Sequence, residues 1–169
     1  MAPLRTQEGF IALLQSLQNP FLGMLVGALF TALVQSSSAT ISLVVVMATQ
    51  GLILLPAGIA ILFGAKIGTG ITAVLAAIGK PRDAQRAAAI HVLFNVLGSL
   101  IWLPFIAQLA VLAQLISPVA DHLQGMQRLA EEVPRQIANA ATIWATANVV
   151  IFLPFAALFA RLAVRIIPD

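Results

Sequence analysis

The chain has 169 residues, of which 60% are hydrophobic and 9% charged, with a mean hydropathy of +1.01. A soluble domain carries about a quarter charged residues, so this composition excludes a water-exposed globule and indicates an all-α integral membrane protein. The pI of about 10.7 reflects scarce acids more than a basic patch, so a nucleic-acid partner is not indicated, and the absence of cysteine excludes disulfides and thiolate metal sites.

At the N-terminus Arg5 precedes an apolar run, but Glu8 intervenes and no small-residue cleavage site follows. That end reads as a retained membrane segment and not a signal peptide. From Gly9 to Ala65 there is no charged residue. Crossing the hydrocarbon takes roughly 20 helical residues, yet Pro20–Val34 offers 15 and Ala39–Gln50 only 12. Between them lie Gln35, Ser36, Ser37 and Ser38, in a chain with only seven serines. The pattern predicts a re-entrant hairpin over 20–50 whose turn is Gln35–Ser38. One continuous helix would spread the three serines about 100° apart and turn some hydroxyls towards lipid. Non-helical backbone at that depth must be buried in protein or line a wet cavity.

The next segment, 56–79, gathers Gly64, Gly68 and Gly70 around Lys66 and Thr69. Three glycines beside an intramembrane lysine predict a broken helix, the kind of discontinuity from which transporter sites are built. Close helix–helix packing is the competing explanation for such glycines. A polar loop, KPRDAQR (80–86), leads into a span over 84–116. His91 lies five residues after Arg86, and a place near the interface is preferred to a proton relay or substrate ligand. The polar stretch 117–135 predicts a surface loop with a short amphipathic helix, and a last span covers 137–160.

The last two spans echo each other: IWLPF (101–105) recurs as IFLPF (151–155), and each proline predicts a kink. A single connecting loop makes these spans antiparallel, which places the C-terminal tail on the side of the 80–86 loop. Lys80, Arg82, Arg86, Arg161 and Arg165 lie on that side, against Arg128 and Arg135 in the 117–135 loop. The asymmetry predicts a multi-pass protein with a cytoplasmic C-terminus.

QSSSAT (35–40), GAKIGTG (64–70) and AAAIHVLFNVLG (87–98) together resemble, in order and spacing, the type II sodium/phosphate cotransporter family, and its bacterial branch in particular. The resemblance covers the chain from about residue 20 onward and implies location in a bacterial inner membrane. It implies secondary transport of inorganic phosphate coupled to sodium by alternating access, with no cofactor beyond sodium as coupling ion. Family members carry two inverted serine motifs with the substrate site between them. The resemblance thus implies that Gln35, Ser36, Ser37, Ser38 and Thr40 bind phosphate and sodium. It further implies that Gly64, Ala65, Ile67, Gly68 and Thr69 form the neighbouring break, with Asn95 on the following helix. Lys66, next to that ion site, is read as standing in for a bound sodium or pairing directly with phosphate. Hydroxyl, amide and carbonyl oxygens suit the hard sodium ion, and hydroxyls with free helix N-terminal amides suit phosphate.

This chain differs from the family pattern at Lys66, where asparagine is usual, at Gly70, where threonine is usual, and over AATIWATAN (140–148), where a His-Thr-Leu-Phe-Asn pattern is common. It also holds one serine motif where two are expected, which implies a partner: a second repeat from another chain, or a homo-oligomer. Two other functions compete. One is a non-transporting or incomplete membrane subunit. The other is an intramembrane serine hydrolase with His91 as base, disfavoured because no acidic residue orients the histidine and a triple serine is not a nucleophile elbow.

Overall fold

A computed structural model describes Gly9 and residues 16–168; the expected N-terminal membrane segment lies outside the described residues. All regular structure among them is helical: α1 (Pro20–Val34), α2 (Ser37–Thr49), α3 (Leu55–Ala77), α4 (Arg82–Trp102), α5 (Ile106–Leu115), α6 (Gly125–Phe152) and α7 (Ala156–Ile166). Three stretches, Leu55–Ala77, Arg82–Leu115 and Gly125–Ile166, are long and apolar enough to cross a membrane.

The serine segment divides two short helices, as expected. Asn19 caps α1, accepting from the Phe21 amide at 3.0 Å, and Pro20 takes the first turn, where its missing N–H costs nothing. Gln35 ends α1 in the left-handed region (φ 56°) with its amide donating to the Thr31 carbonyl at 2.7 Å. Ser36 is extended and caps α2, its Oγ accepting from the Ala39 amide at 3.2 Å. The reversal takes two residues, Gln35 and Ser36, and not the expected Gln35–Ser38, because the Ser36 cap lets α2 begin at Ser37.

α3 is the centre of the molecule and touches α1, α2, α4, α5 and α6. Residues 57–65 are all buried, so its apolar content is that of a helix enclosed by protein. Here the sequence expectation is corrected: α3 runs without interruption through Gly64, Gly68 and Gly70. The glycines are explained by packing. On α1, Gly23 meets Ala60, Gly27 meets the Ile61 backbone and Thr31 meets Gly68, so a stripe spaced at about one helical turn lies against α3. A methyl added at Gly64 would fall on the Met24 carbonyl, and one at Gly68 on the Ala28 carbonyl and the Thr31 side chain. Small residues let two membrane helices approach backbone to backbone, which is what replaces the hydrophobic drive in lipid.

Both LPF elements interrupt their helices as short 3₁₀ turns, Leu103–Phe105 and Leu153–Phe155. The proline ring cannot donate and crowds the carbonyl four residues back, so the α-helical ladder tightens there. The polar stretch differs from expectation. Only residues 116–124 are irregular, and α6 begins at Gly125, carrying Arg128, Glu131, Glu132 and Pro134 as its first turns. Glu132 ties the loop down by accepting from the Ala120 amide and from Arg128 Nε, both at 2.8 Å.

Trp102 donates to Asn148 and Asn139 donates to Ser117. The partner number falls as the other rises, so the two kinked hairpin arms are antiparallel. Arg86 Nε donates to the Ile167 carbonyl at 3.0 Å, which brings the C-terminal tail to the 80–86 loop as the antiparallel spans implied. Large apolar side chains face outward along α1, Leu33 being 84% exposed. In water that surface would be costly; in lipid it is ordinary.

Candidate functional site

The serine tip is built by the cap. Because Ser36 satisfies the Ala39 amide and its carbonyl accepts from the Thr40 amide at 3.2 Å, helix geometry leaves the Ser37 and Ser38 amides without intrahelical partners. Ser36 Oγ and Ser38 Oγ are 3.1 Å apart. Gln35 and Ser38 are exposed, while Ser36 and Ser37 are half-buried. Two amides without helical partners, the adjoining Ser36 and Ser38 hydroxyls and the positive end of the α2 dipole thus meet at the tip, with Ser37 beside them, an arrangement suited to an anion. Gln35 and the hydroxyl lone pairs add acceptors suited to a hard cation.

Behind the tip lies a buried pair. Thr40 Oγ1 donates to the Ser36 carbonyl at 3.1 Å, so its single proton is spent. The 2.7 Å contact with Thr31 Oγ1 must then run from Thr31 to Thr40. Thr31 is fully buried and abuts Gly68. Thr40 and Gly68, two of the expected site residues, are therefore joined through Thr31, which sequence reading passed over. Its signal was available only as the four-residue rhythm Gly23, Gly27, Thr31.

The remaining expected residues are placed differently. Lys66 lies two residues, or about 200°, from Gly68 on α3, and its Nζ sits 5.7 Å from the centroid of the Trp144 ring on α6. It faces α6 while Gly64 and Gly68 face α1. Thr69 Oγ1 donates to the Ala65 carbonyl within α3 at 2.8 Å. Asn95 is buried on α4, its amide bonded to the His91 carbonyl at 2.9 Å and placed 3.1 Å from His91 Nε2. His91 is exposed. Beside Lys66 runs a polar seam: Ser99 donates to the Phe63 carbonyl across helices, and Trp102 Nε1 donates to Asn148 Oδ1. Trp144 Nε1 and Asn148 Nδ2 are buried there with no partner. No group of three His, Cys, Asp or Glu that could hold a metal ion occurs among the described residues.

Residues 6–131 match the model of a family described as Na+/Pi-cotransporter. The uncharacterized protein YqeW of Bacillus subtilis is 32% identical over 86% of this chain and 43% of its own length. The human protein named sodium-dependent phosphate transport protein 2B is 43% identical over 52% of this chain and 14% of its own. Protein YjbB of Salmonella typhimurium, described as a proposed inorganic phosphate exporter, is 29% identical over the whole chain and 29% of its own length. The chain thus spans less than half the length of each of these relatives. No solved structure gives a significant match.

Proposed function

The chain belongs to the Na+/Pi-cotransporter family, and on that premise we propose that it moves inorganic phosphate together with sodium across a bacterial inner membrane by alternating access. The observation that carries this reading is the capped α2 N-terminus, where Ser36–Ser38 present hydroxyls and free amides beside the buried Thr31–Thr40 pair. Phosphate is held by Ser37 and Ser38 and their amides; sodium is held by oxygens of Gln35, Ser36 and Ser38. The α1–α2 hairpin enters and leaves the membrane on one side, being too short in each arm to cross.

Lys66, with Thr69 beside it on the helix, modulates coupling. Held against Trp144, its ammonium supplies a fixed positive charge where relatives place asparagine, and the sodium requirement is correspondingly weaker. Gly64, Gly68 and Asn95 set the packing of α3 against α1 and the interior of α4, and so hold the tip in place. The C-terminus is cytoplasmic, by the excess of Lys and Arg around the 80–86 loop and the tail.

A second reading is favoured by the exposure of Gln35 and Ser38: the chain is one half of a site that a partner repeat completes. Sodium-dependent uptake of labelled phosphate into liposomes holding only this purified chain separates the two. Uptake that saturates with both ions supports transport by the chain itself. Absence of uptake in folded, inserted protein supports the half-site.

A further inference from the structure

Two cavities meet on the face of α3 and α4 away from the serine tip. One, of about 380 Å³, is walled by Ala77, Ile78 and Gly79 of α3 and its end, Gln85 and Ala88 of α4, and Ile167 of the tail. The other, of about 240 Å³, runs between Ile67, Gly70 and Ile71 of α3 and Val92 and Val96 of α4. Val74 lines both, so they form one groove. From Ile67 to Ile78 it follows eleven residues of α3, roughly 16 Å. Along this length Gln85 is the only lining residue with a polar side chain, and it stands at the mouth. Ala88 and Ala89 of α4 leave the width, and Gly79 turns away with positive φ and open space around it.

The mouth is strongly basic. Lys80 and Arg82 follow Gly79 directly, Arg86 anchors the tail through the Ile167 carbonyl, and Arg165 lies two residues before that anchor. Lys80, Arg82 and Arg165 are exposed, and none of them is in an ion pair among the described residues. Against these stand Asp83, paired with Arg86, and the terminal Asp169. An apolar groove opening at the membrane surface under unpaired cations has the two features a phospholipid requires: a dry channel for a chain and charge for a headgroup.

We propose that this groove binds an anionic phospholipid, with its phosphate headgroup at Lys80, Arg82 and Arg165 and one acyl chain laid between α3 and α4 towards Gly70. The lipid bridges the α3–α4 loop and the C-terminal tail, two segments joined in the protein by Arg86 and Ile167. The site is separate from the serine tip, so it stands or falls independently of the transport reading.

The test uses the purified full chain in detergent, with lipid retention read by native mass spectrometry and melting temperature read in parallel. Phosphatidylglycerol should be retained at least about tenfold better than phosphatidylcholine and should raise the melting temperature. The double variant Lys80→Gln/Arg82→Gln, at exposed positions that support no packing, should bring phosphatidylglycerol down to the phosphatidylcholine level. Ala89→Phe should fill the groove and lose both lipids. Equal retention of the two lipids, or unchanged retention in the charge variant, overturns the proposal. So does stabilisation by glycerol 3-phosphate or inorganic phosphate alone, which would mark a free-anion site in place of a lipid one.

Discussion

The hydroxyl of Thr31 on α1 donates to that of Thr40 on α2 across 2.7 Å in a fully enclosed position. The two arms of the hairpin are thereby locked directly behind the serine tip. The lock is asymmetric, because Thr40 also donates to the Ser36 carbonyl. Thr40→Val removes a donor to Ser36 and an acceptor for Thr31, whereas Thr31→Val leaves the Ser36 bond intact. Thr40→Val should therefore cost more, about 1–3 kcal/mol, and adding Thr31→Val should cost little further. Unfolding of the parent, the two single variants and the double variant in detergent checks this; equal, additive losses would mean that the two hydroxyls act independently.

The glycines of α3 separate packing from hinge. Gly64 and Gly68 face α1 backbone, which cannot yield, while a methyl at Gly70 would come closest to the Val92 side chain, at 3.1 Å, with the Val92 Cα at an ordinary 3.6 Å. Gly64→Ala should destabilise by about 1–3 kcal/mol or more through overpacking, and Gly70→Ala should be nearly neutral. If the glycines instead served a break, both would slow transport without affecting melting.

These same residues mark what was legible in the sequence. The hairpin turn was, because Gln35–Ser38 interrupts an apolar run with residues that cap and reverse helices. The kinks at Pro104 and Pro154 were, because proline acts locally. The continuity of α3 was not, since a glycine needed for close approach and one needed for a break are the same letter, and only the facing Gly23–Gly27–Thr31 stripe decides. The start of α6 was hidden by its charges and Pro134, which read as loop until Glu132 is seen holding Ala120. Asn148 owes its role to Trp102 on another helix, and no local pattern announces it; Thr31 shows only in its four-residue rhythm with Gly23 and Gly27.

At the tip, capping and binding divide between neighbours. Ser36 caps α2, so Ser36→Ala should lower stability by about 1 kcal/mol. Ser37 and Ser38 support no cap, so Ser37→Ala/Ser38→Ala should leave melting unchanged and abolish phosphate uptake. Unaltered uptake kinetics in the double variant would remove these residues from the site.

Lys66 offers a test of coupling. Its ammonium packs on Trp144 at a depth where a charge is costly and usually functional. Lys66→Asn should steepen the sodium dependence of uptake, and Lys66→Met should lower uptake at every sodium concentration. A sodium titration that both variants leave unchanged would make the lysine a packing residue only.

The last prediction concerns what covers the tip. Gln35 and Ser38 are exposed, and the amides of Ser37 and Ser38 lack helical partners. Facing lipid, each such group would cost several kcal/mol. A second chain carrying an inverted repeat would satisfy them, and so would a second copy of this chain inserted upside down. The basic residues decide between these: five lie about the 80–86 loop and the tail, against Arg128 and Arg135 at the opposite end. Such a bias drives insertion in one orientation, so the partner should be a different chain or a further segment and not an antiparallel twin. Val119 lies in the 116–124 loop and is exposed, which makes Val119→Cys a suitable reporter in a chain with no other cysteine. An impermeant thiol reagent applied to intact cells should label it nearly completely, as expected for a loop opposite a cytoplasmic C-terminus. Labelling of only about half the molecules, rising to completion after permeabilisation, would establish dual insertion and with it the antiparallel dimer.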